Sequence, residues 1–246
     1  MRDRPIFFIH IMKTGGVTFS AAMRSIFEPD AMFPGVEMSH IGRKAYTKLD
    51  FLRNISKERT NRTRFFAGHY PFVASTLVDL PVTTVTILRD PVERVISHLR
   101  QISRNENGWR KLTALADVTD PPLLDVYQDQ FLRSKFFINH QLKMFAFKSA
   151  DGLQSYLDPL TIDEDSLELA IGQLRMVDLI GFQHSLDDFI RSVGNSLGIQ
   201  LPDTIQKNVS PKWKPVPSEL IDMIREDNKL EIRFYQDALK IADGVI

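Results

Sequence analysis

A four-residue turn, Lys13-Thr14-Gly15-Gly16, joins an apolar run at residues 7–11 directly to the start of a helix-like segment. A strand that passes into a helix in this way leaves the first helical N–H groups without intrahelical partners, at the positive end of the helix dipole. The sequence therefore predicts an anion site, and phosphate is the ligand such a turn commonly binds.

The composition of the turn supports this prediction. Two adjacent glycines let ligand oxygens approach the main chain, a lysine adds a mobile charge, and two threonine hydroxyls add neutral donors. The predicted phosphate-binding residues are Lys13, Thr14, Gly15, Gly16, Val17 and Thr18. The order differs from the nucleoside triphosphatase P-loop, G-x-x-x-x-G-K-[ST], because the lysine precedes the glycines. A tight turn with an incidental lysine is the alternative interpretation.

A second strand-to-helix junction follows the β-branched run at residues 82–88. Such a run favours a buried strand. Pro91 suits the first helical turn, and Asp90 suits the N-cap before it. Arg89 is therefore predicted to lie at the carboxyl end of a strand.

Arg89 and Lys13 are expected at the same edge of the sheet, because ligands of open parallel sheets bind outside the carboxyl ends of the strands. There they could hold two anionic groups of one ligand. Ser97 lies about two turns into the second helix.

The two junctions resemble sulfotransferases that use 3′-phosphoadenosine 5′-phosphosulfate (PAPS). The first is similar to that family's 5′-phosphosulfate loop and the second to its 3′-phosphate motif. The nearest pattern is that of carbohydrate sulfotransferases of the heparan sulfate 2-O-sulfotransferase type, F-x-H-x-x-K-T-x-G and R-D-P-x-x-R-x-x-S. The matching residues are Phe8, His10, Lys13, Thr14, Gly16, Arg89, Asp90, Pro91, Arg94 and Ser97. Met12 departs from the pattern, since a proline is common there.

The resemblance implies in-line transfer of a sulfuryl group from PAPS to an acceptor hydroxyl, expected to be that of a carbohydrate. Lys13 would stabilise the charge that develops on the bridging oxygen, and no metal is expected. His69, in a Gly-His-Tyr-Pro turn after a strand, is the predicted general base. A histidine that caps a loop by hydrogen bonding is the alternative.

The 3′-phosphate is assigned to Arg89 with Ser97, since a guanidinium binds phosphate oxygens in bidentate fashion. A structural ion pair of Arg89 with a nearby carboxylate is the alternative. Ser210 and Lys212 lie in a Pro-rich loop at 201–217 that is predicted to close over the nucleotide. Trp213 could stack on adenine or anchor this loop.

The element pattern predicts a single domain, residues 1–246, with an α/β fold: a P-loop-like three-layer α/β/α arrangement around a mainly parallel sheet. Residues 98–130 are a candidate acceptor-side lid. Further strands are predicted at 64–67 and 178–182, and helices at 125–148, 163–177 (with a capping box from Thr161 to Glu164), 185–197 and 218–242.

Composition narrows the function classes. The formal net charge of zero argues against a nucleic-acid partner, and the lack of cysteine excludes disulfides and thiolate catalysis. No apolar run reaches the roughly 18 residues that span a bilayer, and the first residues lack a signal-peptide core, so a soluble cytoplasmic protein is expected.

Three further histidines and a basic segment are less defined. His10 is expected to pack within the first strand, His98 to face solvent, and His140 to reach the acceptor cleft. The basic residues around Trp109, which are Arg100, Arg104, Arg110 and Lys111, suit either an acidic sugar or a solvated face. Two other function classes stay open: a kinase-like P-loop enzyme that uses ATP and magnesium, and a catalytically silent nucleotide-binding protein.

Overall fold

The computed structural model describes residues 4–35, 44–104, 108, 111, 113–198, 201 and 215–244. Ser210, Lys212 and Trp213, and with them most of the predicted nucleotide-closing loop, lie outside the described residues. Trp109 and Arg110 of the basic segment lie outside them as well.

The described chain forms a five-stranded sheet in which every pairing is parallel, in the order β2-β3-β1-β4-β5. The strands are β1 Ile6–Ile9, β2 Met32–Phe33, β3 Phe65–Gly68, β4 Thr83–Leu88 and β5 Leu179–Phe182. The helices are α1 Gly16–Arg24, α2 Asp50–Arg53, α3 Lys57–Arg62, α4 Pro91–Ser103, α5 Leu123–Gln128, α6 Gln130–Leu132, α7 His140–Lys143, α8 Glu164–Leu174, α9 Leu186–Leu197, α10 Ser218–Asp227 and α11 Lys229–Ala242.

Helices cover both faces of the sheet. Along β1, Phe7 and Ile9 join a core shared with α8 and α11, whereas Ile6 and Phe8 join a core shared with α1 and α9. A strand buried on both faces needs a continuous apolar run, as the sequence has here. The predicted α/β class with three layers and a parallel sheet is thus confirmed.

The three strands predicted around residues 64–67, 82–88 and 178–182 are present within one residue of their predicted bounds. The very short β2 was not predicted, because two residues carry no periodic pattern. No helix among the described residues is long and apolar enough to cross a bilayer.

The helix predicted at 125–148 is wrong: this segment contains three short helices and a π turn at Arg133–Phe137. One cause is Asn139, which has a left-handed backbone with φ of 48°. Another is the buried guanidinium of Arg94, which donates to the carbonyl oxygens of Phe136 and Phe137 at 3.0 Å each. Those carbonyls would accept helical N–H groups in a continuous helix.

The other helix predictions need smaller corrections. The predicted helix at 218–242 is divided at Asn228, whose Oδ1 accepts the N–H of Asn139 at 2.8 Å. Asp163, and not Thr161, caps α8, since its Oδ1 accepts the N–H of Ser166 at 2.9 Å. Residues 98–103 of the candidate lid form the end of α4.

Candidate functional site

A cavity of about 1220 Å³ opens at the carboxyl ends of the strands. From β1 the chain passes to β2 and returns beside β1 as β3, whereas from β4 it continues in the opposite direction to β5. Connections therefore leave β1 and β4 in opposite directions, which makes their junction the switch point where open α/β sheets bind ligands. The volume exceeds the usual range of about 300–1,000 Å³ for one small ligand, so there is room for more than one small ligand.

The turn after β1 forms one wall of the cavity. Gly15 has a left-handed φ of 96°, which favours glycine, and its carbonyl oxygen accepts the N–H groups of Thr18 and Phe19. Lys13 also has a left-handed backbone, with φ of 70°. Such conformations are costly for residues other than glycine and cluster at functional sites. Lys13, Gly15, Gly16, Val17 and Thr18 all line the cavity.

Thr14 differs from its prediction. Its side chain is fully buried, and its hydroxyl donates to the carbonyl oxygen of Ile11 at 3.0 Å. Thr14 is absent from the cavity lining, because this internal hydrogen bond turns the hydroxyl toward the end of β1. The expected hydroxyl donor is therefore not presented to a ligand.

Gly16 is required by the position of His10. A Cβ on Gly16 would lie 2.2 Å from Cδ2 and 2.4 Å from Nε2 of that histidine. The imidazole of His10 is stacked on the ring of Phe8, with centroids 5.1 Å apart. Burial, with smaller contributions from His69 and Arg24, holds the pKa of His10 well below its ordinary value. His10 thus packs neutral between the strand and the turn while it lines the cavity.

Arg89 links the two predicted motifs. Its Nη1 donates to the carbonyl oxygen of Lys13 at 3.3 Å, so the residues after β1 and β4 are in contact. Asp90 caps α4 as predicted, since its Oδ1 accepts the N–H of Glu93 at 3.0 Å. Ser97 lies further along α4 and lines the same cavity.

Arg89 also forms the ion pair that was its alternative interpretation. Its Nη2 lies 3.2 Å from Oε2 of Glu93. The carboxylate side chain is 62% exposed, and such surface pairs contribute about 0–1 kcal/mol. A phosphate with two charges could compete for this guanidinium, so the ion pair and an anion-binding role are compatible.

One ring nitrogen of His69 has a hydrogen-bond partner in the main chain. Its Nδ1 lies 2.7 Å from the carbonyl oxygen of His10, and because a carbonyl only accepts, the ring proton resides on Nδ1. Nε2 then carries the lone pair. Burial lowers the pKa of His69, although the hydrogen bond to His10 raises it in part, so the ring is neutral near pH 7. His69 lines the cavity.

The predictions for two other histidines are wrong. His98 was expected in solvent but is fully buried against the ring edges of Phe136 and Phe137. His140 was expected at the acceptor cleft but is 2% exposed, packs against the ring of Tyr156 and does not line the cavity. Burial is the main reason that the pKa values of both residues are held well below their ordinary value.

The segment after β5 is the part of the site that the sequence reasoning missed. Gln183, Leu186 and Asp187 line the cavity beside the turn. Leu186 closely approaches Gly15, because a Cβ there would lie 2.8 Å from its Cδ2. The signal was available, since β5 was predicted and its carboxyl end meets the same edge of the sheet. Arg100 and Arg104, from the basic segment, also line the cavity.

Among the described residues, no three or more His, Cys, Asp or Glu side chains are grouped as metal ligands would be. In comparisons with known proteins, no family model matches this chain and no curated protein matches it.

Proposed function

We propose that this protein is a PAPS-dependent sulfotransferase that sulfates a hydroxyl group, expected to belong to a carbohydrate. The observation that carries the proposal is the hydrogen bond from Arg89 to the carbonyl oxygen of Lys13, which joins two anion-binding motifs in one cavity. A nucleotide that carries phosphate-type groups on both the 3′ and the 5′ oxygen of its ribose would use both motifs. A base, His69, lines the same cavity.

The transfer forms a bond between the acceptor oxygen and sulfur, and it breaks the bond between sulfur and the bridging oxygen of the 5′-phosphate. Nε2 of His69 takes the acceptor proton, since Nδ1 already carries the ring proton. Lys13, beside the helix N-terminus, stabilises the charge left on the bridging oxygen. Arg89 and Ser97 hold the 3′-phosphate.

The two other function classes differ in the ligand they require. A kinase-like enzyme would bind ATP with magnesium in preference to adenosine 3′,5′-bisphosphate. A silent nucleotide-binding protein would bind the bisphosphate without transferring sulfuryl groups. A thermal-shift comparison separates the first case, because a ligand at about 100 times its Kd stabilises the fold by about 2.7 kcal/mol.

The decisive variant is Arg89→Ala. We expect it to weaken the binding of adenosine 3′,5′-bisphosphate by about 10- to 150-fold, the range for a hydrogen bond to a charged group, and to leave the binding of AMP nearly unchanged. Calorimetry with both nucleotides measures this. Arg62→Ala is the matched control, because Arg62 also pairs with a glutamate one turn away, at 3.4 Å, but lies on α3 outside the cavity. Equal losses for the two nucleotides would contradict the assignment.

A further inference from the structure

The side-chain amide of Gln141 clasps the backbone of Arg89. Its Oε1 accepts the N–H of Arg89 at 2.9 Å, and its Nε2 donates to the carbonyl oxygen of the same residue at 2.8 Å. Gln141 is fully buried and is the second residue of α7. One side chain thus satisfies both polar backbone groups of Arg89.

The location of the clasp explains why it is needed. The ladder between β4 and β5 ends at Leu88, and α4 begins at Pro91. Arg89 lies in the gap between the sheet and the helix, where its N–H and C=O groups have no strand partner in that ladder. An unsatisfied partly buried backbone group is costly, and without a partner its peptide could rotate. The clasp fixes the two peptide groups that flank the Cα of Arg89, and therefore the direction in which the guanidinium leaves the strand.

Gln141 is itself held by a buried carboxylate on the last helix. Oε1 of Glu231 accepts from Nε2 of Gln141 at 3.1 Å, and Oε2 accepts the backbone N–H of Gln141 at 2.7 Å. Glu231 is fully buried and pairs with Nε of Arg94 at 3.2 Å. Its own backbone N–H donates to Oδ1 of Asn139 at 3.1 Å.

This arrangement has few ways to relax. Separating a buried ion pair leaves two uncompensated buried charges and strongly destabilises the protein, so Glu231 and Arg94 stay paired. Oε1 of Glu231 accepts from Nε2 of Gln141, and a flipped amide would instead place its oxygen against this carboxylate, so the side-chain amide has a single favourable orientation. The rigidity of the core is therefore transmitted through one side chain to one residue of the cavity.

We propose that Gln141 is a positioning residue that acts through Arg89 to aim its guanidinium at the 3′-phosphate of the nucleotide. This rests on the proposed function for the identity of the ligand. The clasp itself, and the carboxylate of Glu231 behind it, rest on the geometry alone. Gln141 itself does not line the cavity.

The test is Gln141→Met, which keeps the length of the side chain and removes both polar atoms. We expect it to weaken the binding of adenosine 3′,5′-bisphosphate about tenfold, comparable to the loss of one or two neutral hydrogen bonds, and to change the affinity for AMP less than about twofold. Gln173→Met is the matched control, since Gln173 is also buried and its Nε2 donates to the carbonyl oxygen of Phe147 at 2.8 Å, away from the cavity. It should alter neither affinity.

A double-mutant cycle separates positioning from general destabilisation. If Gln141 acts through Arg89, adding Gln141→Met to Arg89→Ala should cost less than about a further twofold in bisphosphate affinity, because interacting sites are not additive. A full tenfold further loss would overturn the proposal. So would an unchanged ratio of bisphosphate to AMP affinity in the single variant.

Hydrogen exchange at the amide of Arg89 gives a readout that needs no ligand. We expect exchange at least about tenfold faster in Gln141→Met than in the parent, since the N–H loses its acceptor. Gln141→Asn, which shortens the side chain while keeping its amide, provides the same comparison if the methionine variant does not fold. Unchanged exchange would overturn the clasp. A parent that does not prefer the bisphosphate over AMP would overturn the proposed function while the exchange result still decides the clasp.

Discussion

Substituting Gly16 by alanine should destabilise the protein through a single contact. The added Cβ would lie 2.2 Å from Cδ2 of His10, more than an ångström closer than ordinary contact. His10 has little room to retreat, because its ring is stacked on Phe8 and lies 4.5 Å, centroid to centroid, from His69. Overpacking of this kind costs about 1–3 kcal/mol.

Part of this cost is offset by the intrinsic preference of a helix for alanine, which is about 0.5–1 kcal/mol. The net expectation for Gly16→Ala is a loss of about 0–2.5 kcal/mol in the free energy of unfolding. Gly172→Ala is the matched control. Gly172 lies within α8, and no atom lies within 4 Å of the added Cβ, so that variant should be more stable than the parent by about 0.5–1 kcal/mol.

Urea unfolding of the parent and both variants measures the two free energies, provided the m-value is unchanged. A third variant, His10→Ala, removes the obstructing ring. In that background Gly16→Ala should lose its penalty, with a coupling of about 1 kcal/mol or more. The reasoning is refuted if Gly16→Ala is as stable as Gly172→Ala, or if its penalty persists without the imidazole.

Three further predictions concern charge and protonation. His69→Ala should lower turnover by about 10²- to 10⁴-fold, while the affinity for adenosine 3′,5′-bisphosphate stays within about threefold of the parent. Turnover is measured with PAPS labelled in the sulfuryl group and a panel of glycans. Turnover near that of the parent would assign the base to another residue. Glu93→Gln should tighten the binding of adenosine 3′,5′-bisphosphate about two- to fivefold at low salt, because the carboxylate that pairs with Arg89 also repels phosphate. Glu58→Gln, which removes the carboxylate that pairs with Arg62, is the control. Weaker binding by Glu93→Gln would contradict a phosphate site at Arg89. The free energy of unfolding should decline as pH falls below about 6.5, because burial lowers the folded-state pKa values of His98 and His140 and the unfolded chain therefore binds more protons in that range. His98→Phe should reduce the slope of the unfolding free energy against pH by at most about 1.4 kcal/mol per pH unit. An unchanged slope would contradict this prediction.

The sequence predicted those parts of the site that depend on neighbouring residues. The turn at Lys13 and the junction at Arg89 are each a strand, a few loop residues and a helix start, and their local chemistry suffices to place them at one edge of a parallel sheet. Their hydrogen bond then follows from the order of the strands. The roles of Lys13, Arg89 and His69 in catalysis and binding stay predictions.

Contacts between residues far apart in the chain could not be predicted from the sequence. The amide of Gln141 is 52 residues from the Arg89 backbone it holds, and no periodic pattern relates the two. The same is true of Arg94, whose guanidinium interrupts the helix predicted at 125–148 by taking two of its carbonyls. The predicted role of the Thr14 hydroxyl as a ligand donor fails for a different reason, since this hydroxyl donates to the carbonyl oxygen of Ile11, three residues earlier.

The ion pair between Arg94 and Glu231 has a consequence for how the protein matures during its synthesis. The two residues are 137 positions apart, so at typical rates of translation the arginine leaves the ribosome on the order of ten seconds before its partner. During that interval the guanidinium cannot be buried without a large cost. We expect the nascent sheet to remain loosely assembled around α4 until the final helix emerges, which makes this stage of biosynthesis the one most exposed to chaperones and proteases.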